Sequence, residues 1–140
     1  MEHDLGAIPV FGGLSKDELS RLNAMAHPRT YSSGDLVVRE GEDGIGVYVI
    51  TDGQFEIRHD HADAESQVEA TMGPGDVFGL TSMLDDGPRR ASVYAVTDGG
   101  CLVLTRLTFR DAVTSNPALA IEVMRSIAHE LRETSALLSR

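Results

Sequence analysis

Apolar residues recur along this chain in three successive rhythms, and each rhythm predicts a kind of element. The first is helical. Leu14-Ser15-Lys16-Asp17-Glu18-Leu19 carries a capping box, with Ser15 at the N-cap, Glu18 three positions on, and Leu14 and Leu19 as the staple across it. The helix runs to about Met25 or Ala26 and ends before Pro28, because the residue ahead of a proline avoids the helical region. Leu19 and Leu22 face the core, with Met25 or Ala26 completing the stripe. Val10 and Phe11 tuck the preceding arm against the domain.

From Arg29 to about Thr105 short apolar pieces alternate with glycine-rich turns, the signature of an all-β sandwich or barrel. Leu36-Val37-Val38 is one strand, and Gly46-Val47-Tyr48-Val49-Ile50 is a second, largely buried one. Asp52-Gly53 reads as a tight hairpin turn. In Gln54-Phe55-Glu56-Ile57-Arg58, strict alternation sends Phe55 and Ile57 inward. His59 to Gln67 is a polar loop tip, and Val68 to Met72 is a weaker strand. Asp76-Val77-Phe78, Ser92 to Val96 and Leu102 to Thr105 complete the set. Gly34-Asp35-Leu36 and Gly75-Asp76-Val77 both place Gly-Asp ahead of a strand, which predicts two similar corners in a rolled sheet.

The last rhythm is helical again. Leu107 to Ser115 forms a short helix capped by Thr105 or Thr108. Asn116-Pro117 starts another, with Asn116 as N-cap and Pro117 at the first helical position, running to about Leu138. Ala120, Met124, Ile127, Leu131, Thr134 and Leu138 alternate four and three apart, the spacing of a coiled-coil seam. Two readings stay open: a homodimer seam, or a helix lying on its own domain with Leu119, Val123 and Ala128 widening the stripe.

Composition narrows the function. The chain of 140 residues suits one domain with its own core. A formal net charge of −10 opposes a broad nucleic-acid footprint, so no direct nucleic-acid binding is expected. It also means that any anion site must be a local arrangement of backbone dipoles and one or two arginines. No apolar run is long enough to span a membrane, and Met1-Glu2-His3-Asp4 lacks a signal-peptide layout, so a cytoplasmic protein is expected. Cys101, the lone cysteine, lies in an apolar run and reads as a core residue. His59-x-His61 with Asp63 has metal-ligand types but sits in a polar loop without a second cluster. No nucleophile elbow, Walker loop or Cys-His arrangement appears, and the chain reads as a non-enzyme.

The stretch Phe78-Gly79-Leu80-Thr81-Ser82-Met83 followed by Asp85-Asp86-Gly87-Pro88-Arg89-Arg90-Ala91-Ser92-Val93 holds the candidate chemistry. A glycine beside Thr81 and Ser82 lets backbone N–H groups converge on an anion, and a helical turn there points its positive end the same way. An arginine returning across the turn can fork onto that anion. The plain alternative is a surface loop with two solvated arginines.

This stretch resembles the phosphate-binding cassette of the cyclic nucleotide-binding domain family: Phe78, Gly79, Ser82, Met83, Arg89, Ala91 and Val93 match its pattern. Val37 to Gly53 resembles the family's first β-roll signature, and the likeness extends over residues 8 to 138. It implies an antiparallel β-roll, mainly β, with an N-terminal helix and two C-terminal helices. The parts are an arm (1–14), a helix plus roll containing the cassette (15–106, cassette 78–93) and the C-terminal helices (107–140). It also implies a ligand, cyclic AMP or cyclic GMP, with its phosphate on Arg89, the Ser82 hydroxyl and the N–H groups around Thr81. Arg90 either adds a second cation or alternates outward, and outward is the expectation. Thr134-Ser135 occupies the place where catabolite-activator-like members hydrogen-bond the adenine amino group, and those members pair through this helix.

Two positions depart from the pattern. Arg90 replaces a small or hydroxyl residue, and Leu80 replaces the glutamate that accepts from the ribose 2′-hydroxyl. Loss of that contact removes about 2–3 kcal/mol. The site then binds weakly, binds a ligand without that hydroxyl, or binds nothing, with Asp85 and Asp86 as candidate substitute acceptors. The sequence thus supports a cyclic nucleotide sensor that signals through its last helix. A degenerate roll serving as a ligand-independent dimerisation or docking module is the other expectation.

Overall fold

The computed structural model describes residues 5–59 and 67–138. Two short 3₁₀ turns, Leu5–Ala7 and Pro9–Phe11, lead into α1, Lys16–Met25. The capping box is complete: the Ser15 hydroxyl accepts from the Glu18 N–H at 3.2 Å, and the Glu18 carboxylate accepts from the Ser15 N–H at 2.8 Å. Leu5 and Phe11 are fully buried, so the arm is part of the core. Of the two candidates for the end of the α1 stripe, Ala26 packs on the core and Met25 is exposed.

Eight strands follow among the described residues: β1 His27–Tyr31, β2 Leu36–Val38, β3 Gly46–Asp52, β4 Phe55–His59, β5 Gln67–Met72, β6 Val77–Phe78, β7 Ser92–Ala95 and β8 Gly99–Thr105. They form two antiparallel four-stranded sheets, ordered β1-β8-β3-β6 and β2-β7-β4-β5. The cassette forms a short helix, α2, Leu80–Asp85, and the chain closes with α3, Arg106–Ser115, and α4, Pro117–Leu138. Thr105 caps α3. The Asn116 side-chain amide donates to the Ala112 carbonyl at 2.8 Å, tying down the end of α3. Among the described residues, no helix is long and apolar enough to cross a membrane.

The near-continuous apolar runs of β3 and β8 follow from burial on both faces. Tyr48, Ile50, Cys101 and Val103 point into the roll with Phe55, Phe78 and Val93. Val47, Val49, Leu102 and Leu104 point outward into a second cluster with the arm, α1, α3 and α4. Each fully buried aliphatic side chain contributes about 1.5–3 kcal/mol, so this shared layer holds roll and helices together.

Two details correct the expectations. Asp52-Gly53 does not close a hairpin: β3 pairs with β6 and β8, β4 pairs with β5 and β7, and the chain crosses there from one sheet to the other. β1 carried no apolar alternation, because it is an exposed edge strand along β8, where Pro28 is tolerated. The paired corners do match in detail. Gly34 and Gly75 have φ of +92° and +95°. The Asp35 and Asp76 carboxylates each accept a backbone N–H three residues back, from Ser32 and Gly73, at 2.8 Å. The expected tip at 59–67 falls largely on residues outside those described.

Candidate functional site

A cavity of about 700 Å³ opens between the roll and α4. The cassette forms one end. Val38, Ile57 and Val93 supply an apolar wall, Ile8 and Val10 of the arm supply another, and Glu122, Ser126, His129, Glu130 and Glu133 of α4 line the remaining side. A volume of this size falls in the ordinary range for small-molecule sites.

Arg89 is the unusual group in it. The residue is 5% exposed, yet it lines the cavity. Its Nη2 donates to the Gly46 carbonyl at 2.7 Å. Its Nε and Nη1 are buried with no hydrogen-bond partner among the described residues. The guanidinium lies 5.6 Å from the centre of the Tyr48 ring, which is itself stacked on Phe78 at 4.8 Å. Burial lowers the Arg89 pKa from its usual value. A buried cation with idle donors is costly, and an anion is the group that relieves the cost.

Backbone geometry explains how the guanidinium fits. Arg89 is held by two main-chain bonds to the β2–β3 loop: its N–H donates to the Glu42 carbonyl at 2.8 Å, and its carbonyl accepts from the Gly41 N–H at 2.9 Å. Gly79, with φ of +94°, turns the chain from β6 into α2. A Cβ on Gly79 would collide with Arg89 Nη1 and stand 2.9 Å from the Gly46 carbonyl oxygen. A Cβ on Gly44 would meet Arg89 Nε at 2.7 Å. The guanidinium therefore occupies a slot between two glycines, with the first turn of α2 beside it.

The expected site residues are placed as follows. Phe78 is buried in the roll, Gly79 forms the turn, and Thr81 is half-buried at the cavity with Ala91. Ser82 is buried, and its hydroxyl donates to the Pro88 carbonyl at 3.2 Å. Leu80 is 4% exposed and belongs to the cluster shared by the arm, α3 and α4, while still lining the cavity. Arg90 is exposed yet lines the cavity with Arg89, and lies 3.7 Å from Glu130 of α4. Ser135 is exposed and lies outside the cavity lining, and the side chain of Thr134 is outside the described residues.

The candidate substitute acceptors are engaged elsewhere. Asp85 accepts the Gly87 N–H at 2.8 Å. Asp86 accepts from Arg106 at 2.8 Å and Arg110 at 2.9 Å, and Arg110 Nε also donates to the Met83 carbonyl at 2.9 Å, so α3 clamps the end of α2. His59 is flanked by Glu40 at 3.8 Å and by Glu69, while His61 and Asp63 lie outside the described residues.

Sequence reasoning missed Gly44, Gly46 and Tyr48, which shape the arginine slot, because two glycines and one aromatic in a strand carry no ligand signal. It also missed the polar face of α4. Glu122, Ser126, Glu130 and Glu133 recur at helical spacing on the side of α4 that also carries Leu119 and Val123, and that periodicity was available to find it. Burial pushes the Glu130 carboxyl above its usual range; Arg90 works against this and Glu69 adds to it.

A model of the family described as "Cyclic nucleotide-binding domain" matches residues 28–116. The chain belongs to the cyclic nucleotide-binding domain family. It is 28% identical over 135 residues to a CRP-like cAMP-activated global transcriptional regulator of Mycobacterium tuberculosis, covering 96% of this chain and 60% of that one. The crystal structure of the Thermus thermophilus catabolite activator protein superposes with a TM-score of 0.84 at 30% identity, covering 94% of this chain and 62% of that chain. A regulatory subunit of a cAMP-independent protein kinase A from Trypanosoma brucei superposes with a TM-score of 0.78 at 25% identity, covering 89% of this chain and 44% of that chain. This cyclic nucleotide-binding domain thus spans about 60% of the length of the bacterial regulators it matches.

Proposed function

We propose that the chain is a sensor module that binds cyclic AMP or cyclic GMP in the cavity between roll and α4. One observation carries the reading: a buried arginine lines that cavity with two nitrogens unpartnered among the described residues. The cyclic phosphate takes Arg89 and the N–H groups at the start of α2, and the purine extends toward α4. The output runs through α4, whose Arg90–Glu130 contact and shared core tie it to the cassette.

α4 also carries the pairing surface in this proposal. Met124 and Leu131 are 61% and 65% exposed, with Ile121 exposed beside them, while Leu119, Val123 and Ile127 pack on their own chain. The homodimer seam is therefore Ile121–Met124–Ala128–Leu131, a face adjacent to the one the spacing first suggested. The arm, roll and C-terminal helices act as anchor, receptor and transmitter.

A second reading is favoured by Leu80, whose burial in the core supports a docking or dimerisation scaffold that needs no nucleotide. Calorimetric titration with cyclic AMP and with cyclic GMP separates the two. Saturable heat with either supports the sensor. No heat and no shift in melting temperature at millimolar nucleotide overturns it in favour of the scaffold.

A further inference from the structure

The cavity that holds the buried guanidinium is acidic as a whole. Among the described residues that line it, five are carboxylates: Glu69 on β5, Asp76 ahead of β6, and Glu122, Glu130 and Glu133 on α4. Three are guanidiniums, Arg89, Arg90 and Arg125, and His129 is charged only when protonated. With His129 neutral, the lining carries an excess of two negative charges, within a chain of formal net charge −10. A cyclic phosphate brings one negative charge of its own. Arg89, 5% exposed and with Nε and Nη1 unpartnered among the described residues, attracts that charge at short range. The rest of the lining opposes it over a longer range.

Glu130 is the carboxylate at which this opposition is relieved. It lies 3.7 Å from Arg90, and half of its side chain is covered. Arg90 from the cassette favours its charge, Glu69 from β5 opposes it, and His129 on its own helix favours it. Glu133, one turn further along α4, stands 3.2 Å from His129 Nε2. Loss of water is the largest influence on Glu130 and holds its carboxyl above the usual range. An anion on Arg89 adds another negative charge to the same cavity and competes for Arg90. Both effects favour the protonated carboxyl, so binding draws a proton onto it. We infer, resting on the sensor reading above, that Glu130 makes binding acid-gated: an anionic ligand is held more tightly as pH falls. Protonation of Glu130 removes one negative charge from the lining and releases Arg90 to the ligand. The gain begins as pH falls through the carboxyl's bound-state pKa and levels off below its free-state pKa. The protein then responds to nucleotide and acidity together.

The test is calorimetric titration with cyclic AMP between about pH 8 and about pH 5.5, a range above the ordinary carboxylate pKa. The cyclic phosphate stays singly charged throughout. Affinity is expected to rise by about three- to tenfold toward the acid end, the effect of one unit charge elsewhere in the cavity. Titration in two buffers of different ionisation heat should show net proton uptake on binding. Glu130→Gln is expected to bind more tightly than the unaltered protein at the alkaline end and to lose most of the rise and of the uptake. His129→Gln should retain the rise, which keeps the assignment testable if the Glu130 variant does not fold. A flat or falling affinity toward acid pH, or binding without proton uptake, overturns the inference and leaves the sensor reading standing. A rise that persists in Glu130→Gln, or vanishes in His129→Gln, overturns the assignment to Glu130. If no titration at any pH shows binding, the sensor reading has failed and the inference falls with it.

Discussion

Replacing Arg89 with methionine separates a ligand-binding arginine from a structural strut. The substitution removes one charged hydrogen bond to Gly46, made at 2.7 Å, and leaves that carbonyl without its donor. Together these losses cost about 2–4 kcal/mol. It also removes a cation buried with two idle nitrogens, whose desolvation penalty is several kcal/mol. The unbranched methionine fills much of the slot between Gly44 and Gly79. The opposing terms are of similar size, so the free protein should change stability by less than about 2 kcal/mol in either direction. The bound state is different. The phosphate loses one or two charge-assisted bonds of about 1.5–3 kcal/mol each, so affinity should fall by at least tenfold and by more than a hundredfold if both bonds are made. Urea melts of the free protein and calorimetric titration with cyclic AMP measure the two quantities on the same sample. A loss of more than about 4 kcal/mol in the free protein with unchanged affinity would refute the reasoning, because Arg89 would then act as a strut.

Three other outcomes are expected. Gly79→Ala should abolish binding and lower the melting temperature, since its Cβ meets Arg89 Nη1 at a φ of +94°; a variant that binds normally would show that the slot is slack. Replacing Met124 and Leu131 with aspartate should convert a two-chain species to one chain in analytical ultracentrifugation without unfolding it, because both side chains are exposed; unchanged mass would place any pairing elsewhere. Burial pushes the Cys101 thiol from an ordinary 9.0 up to about 12, and the Tyr31 hydroxyl from 10.0 up to about 12. A folded-state pKa raised in this way contributes stability that is intact below pH 9 and lost as pH rises toward 12. Urea midpoints should therefore fall from pH 9 upward, and Cys101→Val should flatten part of that slope; an unchanged slope would remove Cys101 as a cause.

The legible parts of this fold are those where local chemistry and burial agree. The capping box of α1, the two Gly-Asp corners and the doubly buried runs of β3 and β8 all follow from residue type and spacing, and each forms as the pattern predicts. β1 was illegible because an edge strand exposed along most of its length has no reason to alternate. The Asp52-Gly53 corner misled because a two-residue glycine turn has the same local chemistry whether the next strand stays in the sheet or leaves it. In the candidate site, Arg89 was legible through resemblance. Its burial was not, because the slot depends on Gly44, Gly46 and Gly79 converging from two separate segments. The fate of Asp86 was hidden for a similar reason: its partners, Arg106 and Arg110, lie on α3, well beyond the cassette.

The central claim is that a bound phosphate completes the hydrogen bonding of Arg89. A crystal structure of the protein grown with cyclic AMP tests it most directly. The account predicts a phosphate oxygen within hydrogen-bond distance of Arg89 Nε or Nη1, with Nη2 still on the Gly46 carbonyl. A nucleotide seated elsewhere in the cavity, with both nitrogens still unpaired, would contradict it.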